Sequence, residues 1–202
     1  MKSDSAQQWN QRWLNGQTGW DLRSASPPLC AYCLQIPVER RNLRLLIPGC
    51  GNAYEALFLL EHGFSNITLI DIAPAAVEII RRRFEAGAPE GWAEKVKIVR
   101  GDFFEHQGAY DLILEQTFFC ALDPALRHDY VLKMKELLAP GGRLAGVLFD
   151  RDFEGGPPFG GSRDEYESLF APQFNIKTLA ACHNSVAPRA GTEVFVILEK
   201  KG

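Results

Sequence analysis

From residue 42 onward the chain switches repeatedly between short branched-apolar runs and stretches with helical spacing, and this alternation restricts the fold more than any other feature. Leu43 to Ile47 reads as a first strand ended by Pro48-Gly49, and Ala53, Ala56, Leu57 and Leu60 then keep helical spacing as far as Gly63. Ile67 to Ile70, closed by Asp71, is a second strand, and Pro74 opens a helix with Val77, Ile80 and Phe84 on one face. Val96 to Val99 and Tyr110 to Leu114 are strands three and four. Asp123-Pro124 supplies a cap and a first-turn proline to a helix whose apolar face runs from Leu126 through Tyr130, Val131, Met134 and Leu137 to Leu138. Pro140-Gly141-Gly142 ends that helix, and Leu144 to Phe149 is strand five. Ser162 and Glu165 form a capping box for a helix that Pro172 stops, and Phe174 to Leu179 and Val194 to Leu198 are strands six and seven.

Strands joined by helical crossovers must lie parallel, with both faces of the sheet covered. Strands six and seven have no convincing helix between them, so an antiparallel hairpin at the sheet edge is the simplest connection. The expected architecture is α/β and Rossmann-like: a seven-stranded, mostly parallel sheet with a C-terminal antiparallel hairpin, in a single domain spanning 1–202. Residues 1–40 carry three of the four tryptophans and Pro27-Pro28, and are expected to form a helical lead-in packed over that domain.

In open α/β sheets, ligands bind beyond the carboxyl ends of the strands. The loop after strand one, Pro48-Gly49-Cys50-Gly51, has two glycines that let backbone approach a ligand, and Asp71 follows Gly51 by 20 residues at the end of strand two, where it can accept both hydroxyls of a ribose. A dinucleotide fingerprint wants glycine or alanine where Tyr54 stands, so these signals favour a nucleoside over a pyrophosphate. Gly101-Asp102-Phe103-Phe104 lies on the same sheet edge: Asp102 can accept from an adenine amino group while a phenylalanine covers the ring, or it can simply cap the following turn.

Composition removes other classes. A net charge of −3 leaves no electrostatic footprint for nucleic acid, and Arg81-Arg82-Arg83, the basic cluster, reads as a solvated helix face. No apolar run is long enough for a membrane span, and MKSDSAQQW has no apolar region of the kind that marks a secretory leader. Five cysteines, an odd number, suit reduced thiols in the cytoplasm, and Cys30-x-x-Cys33 lacks a second ligand pair, so it reads as packing and no metal site is expected. Among the histidines, which form no triad or metal spacing, His183 is the one whose loop, following strand six, can fold over the site, and His128 is expected on an exposed helix face.

At this point a set of motifs stands together: Trp9-x3-Trp13-x6-Trp20-Asp21, Ile47-Pro48-Gly49-Cys50-Gly51, Asp102-Phe103-Phe104, the run from Asp111 to Leu122 with Thr117-Phe118-Phe119-Cys120-Ala121, Pro124-x2-Arg127, Leu138-Ala139-Pro140-Gly141-Gly142 and Gly156-Pro157-Pro158-Phe159. With these the chain resembles, nearly end to end, the thiopurine S-methyltransferase family of class I methyltransferases, and its likeness is strongest to the branch of plant halide and thiol methyltransferases and related bacterial proteins. The resemblance implies S-adenosylmethionine as cofactor, held by Trp9, Trp13, Trp20, Gly49, Gly51, Asp71, Ile72, Asp102, Phe103 and Gln116. Aromatic faces suit a sulfonium cation, and Trp9 and Trp13 share a helix face at i, i+4 spacing. The sequence departs from its plant relatives at Gln116, where they carry tyrosine, at Asn52-Ala53, in place of a more glycine-rich stretch, and at Glu55, where relatives often carry aspartate.

Methyl transfer by in-line displacement asks chiefly for alignment and exclusion of water. A thiol with an ordinary pKa of about 8.5 is partly ionised near neutrality and needs little help from a base, which accords with the lack of a visible catalytic dyad. The acceptor pocket is expected after strand four, with Phe118 and Phe119 lining it, Pro158 and Phe159 contributing from a glycine- and proline-rich lid, and Arg127 and Glu115 positioning the acceptor. Halide, selenium or tellurium species, or an oxygen nucleophile, remain alternative acceptors. A non-catalytic adenosylmethionine-binding module is the alternative from another class, and a nicotinamide-dependent oxidoreductase is the weakest.

Overall fold

The computed structural model describes residues 2–202; Met1 and the side chains of residues 2–4 lie outside the described residues, and with them the start of the 1–40 lead-in. The lead-in forms α1 (Lys2–Leu14) and α2 (Pro27–Leu34), and the elements that follow are β1 (Leu45–Pro48), α3 (Tyr54–Glu61), β2 (Ile67–Asp71), α4 (Pro74–Gly87), β3 (Val96–Arg100), β4 (Tyr110–Gln116), α5 (Arg127–Leu137), β5 (Leu138–Phe149), α6 (Arg163–Phe170), β6 (Phe174–Ala181) and β7 (Glu193–Lys200). One seven-stranded sheet of order β3-β2-β1-β4-β5-β7-β6 runs through them. The first five strands are mutually parallel, and β7 lies antiparallel between β5 and β6, which forms the expected edge hairpin.

The period of two decides which core each strand residue enters. Leu45, Ile47, Leu112 and Leu114 face a core shared with α2, α3 and α4, and Leu46, Ile113 and Leu144 face one built on α5 and α6 around Tyr130, Met134, Tyr166 and Phe170. β1 and β2 are buried along their whole length, as expected for central parallel strands. Cys33 is buried in the first of these cores and all five cysteines are free. No helix among the described residues is long and apolar enough to cross a membrane.

Three local expectations change. The helix signalled at Asp123-Pro124 opens as a 3-10 turn, Pro124–Leu126, with Asp123 Oδ1 accepting from the Ala125 amide at 2.9 Å, and becomes α-helical at Arg127. β5 begins at Leu138 rather than Leu144, because the Pro140-Gly141-Gly142 stretch stays in the sheet as an irregularity where the β4–β5 register shifts. Only half of the capping box forms: Ser162 Oγ accepts from the Glu165 amide at 3.3 Å, while the Glu165 carboxylate pairs with Arg127 instead of reaching back.

The lead-in is fastened to the sheet by polar contacts that local sequence does not foretell. α4 has proline in its first turn and no cap from its own N-cap residue; the Ala75 amide instead donates to Asn10 Oδ1 of α1 at 2.8 Å. The Arg189 guanidinium, from the turn before β7, donates to the Trp20 carbonyl at 3.0 Å. The strand order reverses between β1 and β4, which places a crevice beyond their carboxyl ends.

Candidate active site

That crevice is a cavity of about 1030 Å³. Its first wall is the β1–α3 loop, in which Gly49, Gly51 and Ala53 all take left-handed backbone (φ 55°, 51° and 53°). Gly49 is required twice over, since a Cβ there would lie 2.3 Å from the Phe118 ring. Asp71 ends β2 against this loop. Its Oδ2 accepts from the Gly51 amide at 3.1 Å and its Oδ1 from the Ala73 amide at 2.9 Å, while burial pushes its carboxyl above the usual carboxylate range. Each oxygen keeps a further lone pair, so the arrangement leaves Asp71 able to accept from a ligand. Asp102 lines the same cavity and also caps the turn that follows, through an Oδ1 contact of 2.8 Å from the Phe104 amide; its two candidate roles are compatible.

The tryptophans come together over this end. Trp20 meets Trp9 and Trp13 in edge-to-face contacts at 5.4 and 5.8 Å, and all three line the cavity. Asp21 anchors them: its Oδ2 accepts from Asn52 Nδ2 at 2.9 Å, and Asn52 Oδ1 accepts in turn from Arg83 at 3.0 Å. Arg83 also stacks on the Tyr54 ring at 4.3 Å. The arginine cluster is therefore not wholly a solvated face: Arg81 and Arg82 are exposed, and Arg83 turns inward to the β1–α3 loop.

Of the sequence-predicted residues, Trp9, Trp13, Trp20, Gly49, Gly51, Asp71, Ile72, Asp102, Phe103, Gln116, Phe118 and Pro158 line the cavity. Four others stand behind it. Phe119 is buried against Tyr130 and Tyr166, under the Arg127 guanidinium at 5.0 Å. The Phe159 amide donates to the Cys120 carbonyl at 2.7 Å and its side chain is not part of the lining. Arg127 pairs with Glu165 and donates to the Gly160 carbonyl at 2.5 Å, so it holds the 150–162 strap rather than facing the cavity. The strap, read from sequence as a mobile lid or connection, is pinned at its far end by these bonds and by the Arg151–Gly161 bridge, and presents Phe153, Pro157 and Pro158 to the cavity. Glu115 is 1% exposed and sealed behind the loop after β4.

Sequence reasoning missed Asn52, Tyr54 and Arg83 as a latch on the tryptophan leader, and Arg151 and Arg189 as cavity residues. Tyr54 stood in view only as a dinucleotide exclusion, and Arg189, paired with Glu193 at 3.5 Å, carries no local signal beyond i, i+4 spacing to an acid. His183 is exposed and does not line the cavity. Among the described residues no group of three His, Cys, Asp or Glu side chains is placed to hold a metal ion.

The fold is a Rossmann-like α/β domain with its cavity beyond the carboxyl ends of β1 and β4. The fold is shared with the 1,6-didemethyltoxoflavin-N1-methyltransferase of Burkholderia thailandensis, at a TM-score of 0.72 and 20% identity over 98% of this chain and 87% of that one. The family profile of thiopurine S-methyltransferase matches residues 4–200, and the chain belongs to that family. It is 33% identical to a probable thiol methyltransferase 2 of Arabidopsis thaliana, covering 96% of this chain and 84% of the relative. It is also 30% identical to a thiocyanate methyltransferase 1 of Brassica oleracea, covering 92% and 81%.

Proposed function

We propose that this enzyme methylates a small, soft sulfur nucleophile that arrives as an anion or ionises readily, with thiols and thiocyanate as the first candidates. The observation that carries this reading is the stretch of cavity wall built from the end of β5, the strap and the turn before β7: Phe149, Arg151, Phe153, Pro157, Pro158 and Arg189, two arginines, of which Arg189 is paired with Glu193, and no carboxylate or histidine among them. An acceptor there meets aromatic and positive surface but no general base, which suits a thiolate and not a neutral alcohol or amine. Halide, selenium and tellurium anions fit the same chemistry and are the second reading.

The residues at the other end suit adenosylmethionine. Gln116 Oε1 is buried in the cavity wall with no hydrogen-bond partner, and a ligand donor would satisfy it. Asp71 would take ribose hydroxyls, Asp102 and Phe103 the adenine, and the β1–α3 loop would bring backbone against the ligand. The three tryptophan faces favour a cation by roughly 0.5–2 kcal/mol and exclude water around it. When bound, the cofactor supplies an electrophilic methyl group on sulfonium sulfur. The chain's own residues then align the two ends of the cavity, Phe118 standing against Gly49 from the acceptor side.

The continuous sheet supports a single working domain over 1–202, and five unpaired cysteines suit a reducing, cytoplasmic setting. Pure protein incubated with labelled methyl donor and a panel of thiols, thiopurines, thiocyanate, halides and alcohols tests the proposal. Transfer to sulfur anions ahead of alcohols is expected. Tight donor binding with no turnover on any acceptor would support a binding module instead.

A further inference from the structure

The cavity wall after β4 is held by a side chain that never reaches the cavity. Glu115 Oε1 accepts from the Phe118 and Phe119 amides at 2.8 and 3.0 Å, and Oε2 accepts from the Tyr130 hydroxyl at 2.7 Å. Those amides follow Thr117, a β-branched residue in left-handed backbone (φ 59°), a conformation that persists only where the surroundings enforce it. What the clamp fixes is the acceptor floor: Phe118 sits against Gly49, Phe119 lies under Arg127, and the Cys120 carbonyl receives the strap through the Phe159 amide.

We propose that Glu115 is a positioning residue, whose ionised carboxylate holds the 117–121 loop in the shape that aligns the acceptor. The proposal rests on the methyl-transfer reading above. Three donors occupy three of the four lone-pair sites of the carboxylate, two on Oε1 and one on Oε2. A proton taken from solvent onto Oε2 makes that oxygen a poorer acceptor and sets a new donor beside the Tyr130 hydroxyl, so that contact is weakened or reversed. Among the described residues the buried Tyr130 hydroxyl has no second acceptor.

The surroundings make that proton uptake reachable. Facing Glu115 are the Tyr130 hydroxyl from α5 and the Cys120 thiol from the following turn, both pushed up by burial and neutral, the thiol to about 12. β5 offers Gly146, where a Cβ would lie 2.6 Å from the Glu115 Cβ, and no charge. The Arg127 guanidinium stands over the Phe119 ring, and Arg189 and Glu193 act on Cys120. With no cation in contact, burial outweighs the three hydrogen bonds and raises the Glu115 carboxyl to about 7.

The test compares the wild-type enzyme, Glu115→Gln and Tyr130→Phe between about pH 5.5 and pH 8, with bound S-adenosylhomocysteine for hydrogen exchange and saturating S-adenosylmethionine for turnover. Amide protection of Phe118 and Phe119 is followed by hydrogen exchange, and donor-saturated methylation is followed with thiocyanate, an anion across that range. Opening of the 117–121 loop alone leaves Glu115 buried on β4 and removes the amides that favour its ionised form. In the wild type, protection is therefore expected to fall about tenfold on acidification and the thiocyanate KM to rise by a similar factor, with more effect on KM than on donor affinity. Glu115→Gln keeps an oxygen for the amides but cannot titrate, so both profiles should be flat. Tyr130→Phe removes one donor to the carboxylate and should move the midpoint to higher pH. A wild-type profile retained in Glu115→Gln, or a midpoint unmoved in Tyr130→Phe, overturns the proposal. Failure to turn over thiocyanate at any pH counts against the acceptor reading, while the amide protection still decides the role of Glu115.

Discussion

The parts of the cavity proposed above to hold the methyl donor and the acceptor are built by different means. At the donor end backbone makes the shape: three left-handed residues at 49, 51 and 53, and a carboxylate already bonded to two amides. At the acceptor end ionisable groups brace the wall from behind, Glu115 beneath the 117–121 loop and Arg127 beneath the strap. A surface made of backbone leaves little to vary, which suits a constant cofactor. A wall braced from outside the cavity lets its lining side chains change while the brace stays in place, which suits an acceptor site that must be tuned.

The comparison breaks most easily at Gly49. Gly49→Ala adds a Cβ 2.3 Å from Phe118 at φ 55°, and should weaken S-adenosylhomocysteine binding by about 100-fold or more in calorimetry. Affinity within about threefold of wild type would mean that the loop repacks freely and that backbone does not set the donor end. Asp71→Ala should cost about tenfold to 100-fold in the same measurement, since it removes the anchor of the loop together with the proposed ribose acceptor. Arg127→Met should separate the two ends: it frees Gly160 and leaves Glu165, whose side chain is 39% exposed, to be hydrated. An acceptor KM raised about tenfold, with donor affinity changed less than about threefold, is the expected outcome. Equal losses in both would show that the strap also shapes the donor end. Arg83→Met, which removes only the outer part of the latch on Asn52 and Tyr54, should weaken donor binding by about twofold to fourfold.

Stability should carry the mark of the acceptor brace as well. Because burial raises the Glu115 carboxyl to about 7 from an ordinary 4.5, the folded state holds a proton that the unfolded chain has released between those values. Its contribution is therefore complete below the unfolded value and is lost as pH rises toward about 7, above which it stays constant. Denaturation of Glu115→Gln should lack that decline, and an identical slope in both proteins would place the titration elsewhere.

Much of the donor end was legible in the sequence because its signals are local. Glycines in a strand-to-helix turn, an aspartate closing the next strand and a period of two are consequences of neighbouring residues, and they specify the sheet and the loop without knowledge of distant contacts. The Asn10, Asp21 and Arg189 bonds that fasten the lead-in had no such local signal. The acceptor end divides adjacent residues: Gln116, Phe118 and Pro158 line the cavity, whereas Glu115, Phe119 and Phe159 stand behind it. Sequence named both members of each pair, since the motif contains both. Which one faces the ligand depends on partners 15 to 38 positions away, such as Tyr130 on Glu115 and Glu165 on Arg127. The sequence by itself therefore determined the Rossmann-like sheet and its glycine loop, because turn chemistry and periodicity are short-range, while its motifs carried the family resemblance. Only the tertiary structure decided that Glu115 and Arg127 brace the acceptor site without lining it, because side-chain direction in a loop is settled by what packs beneath it.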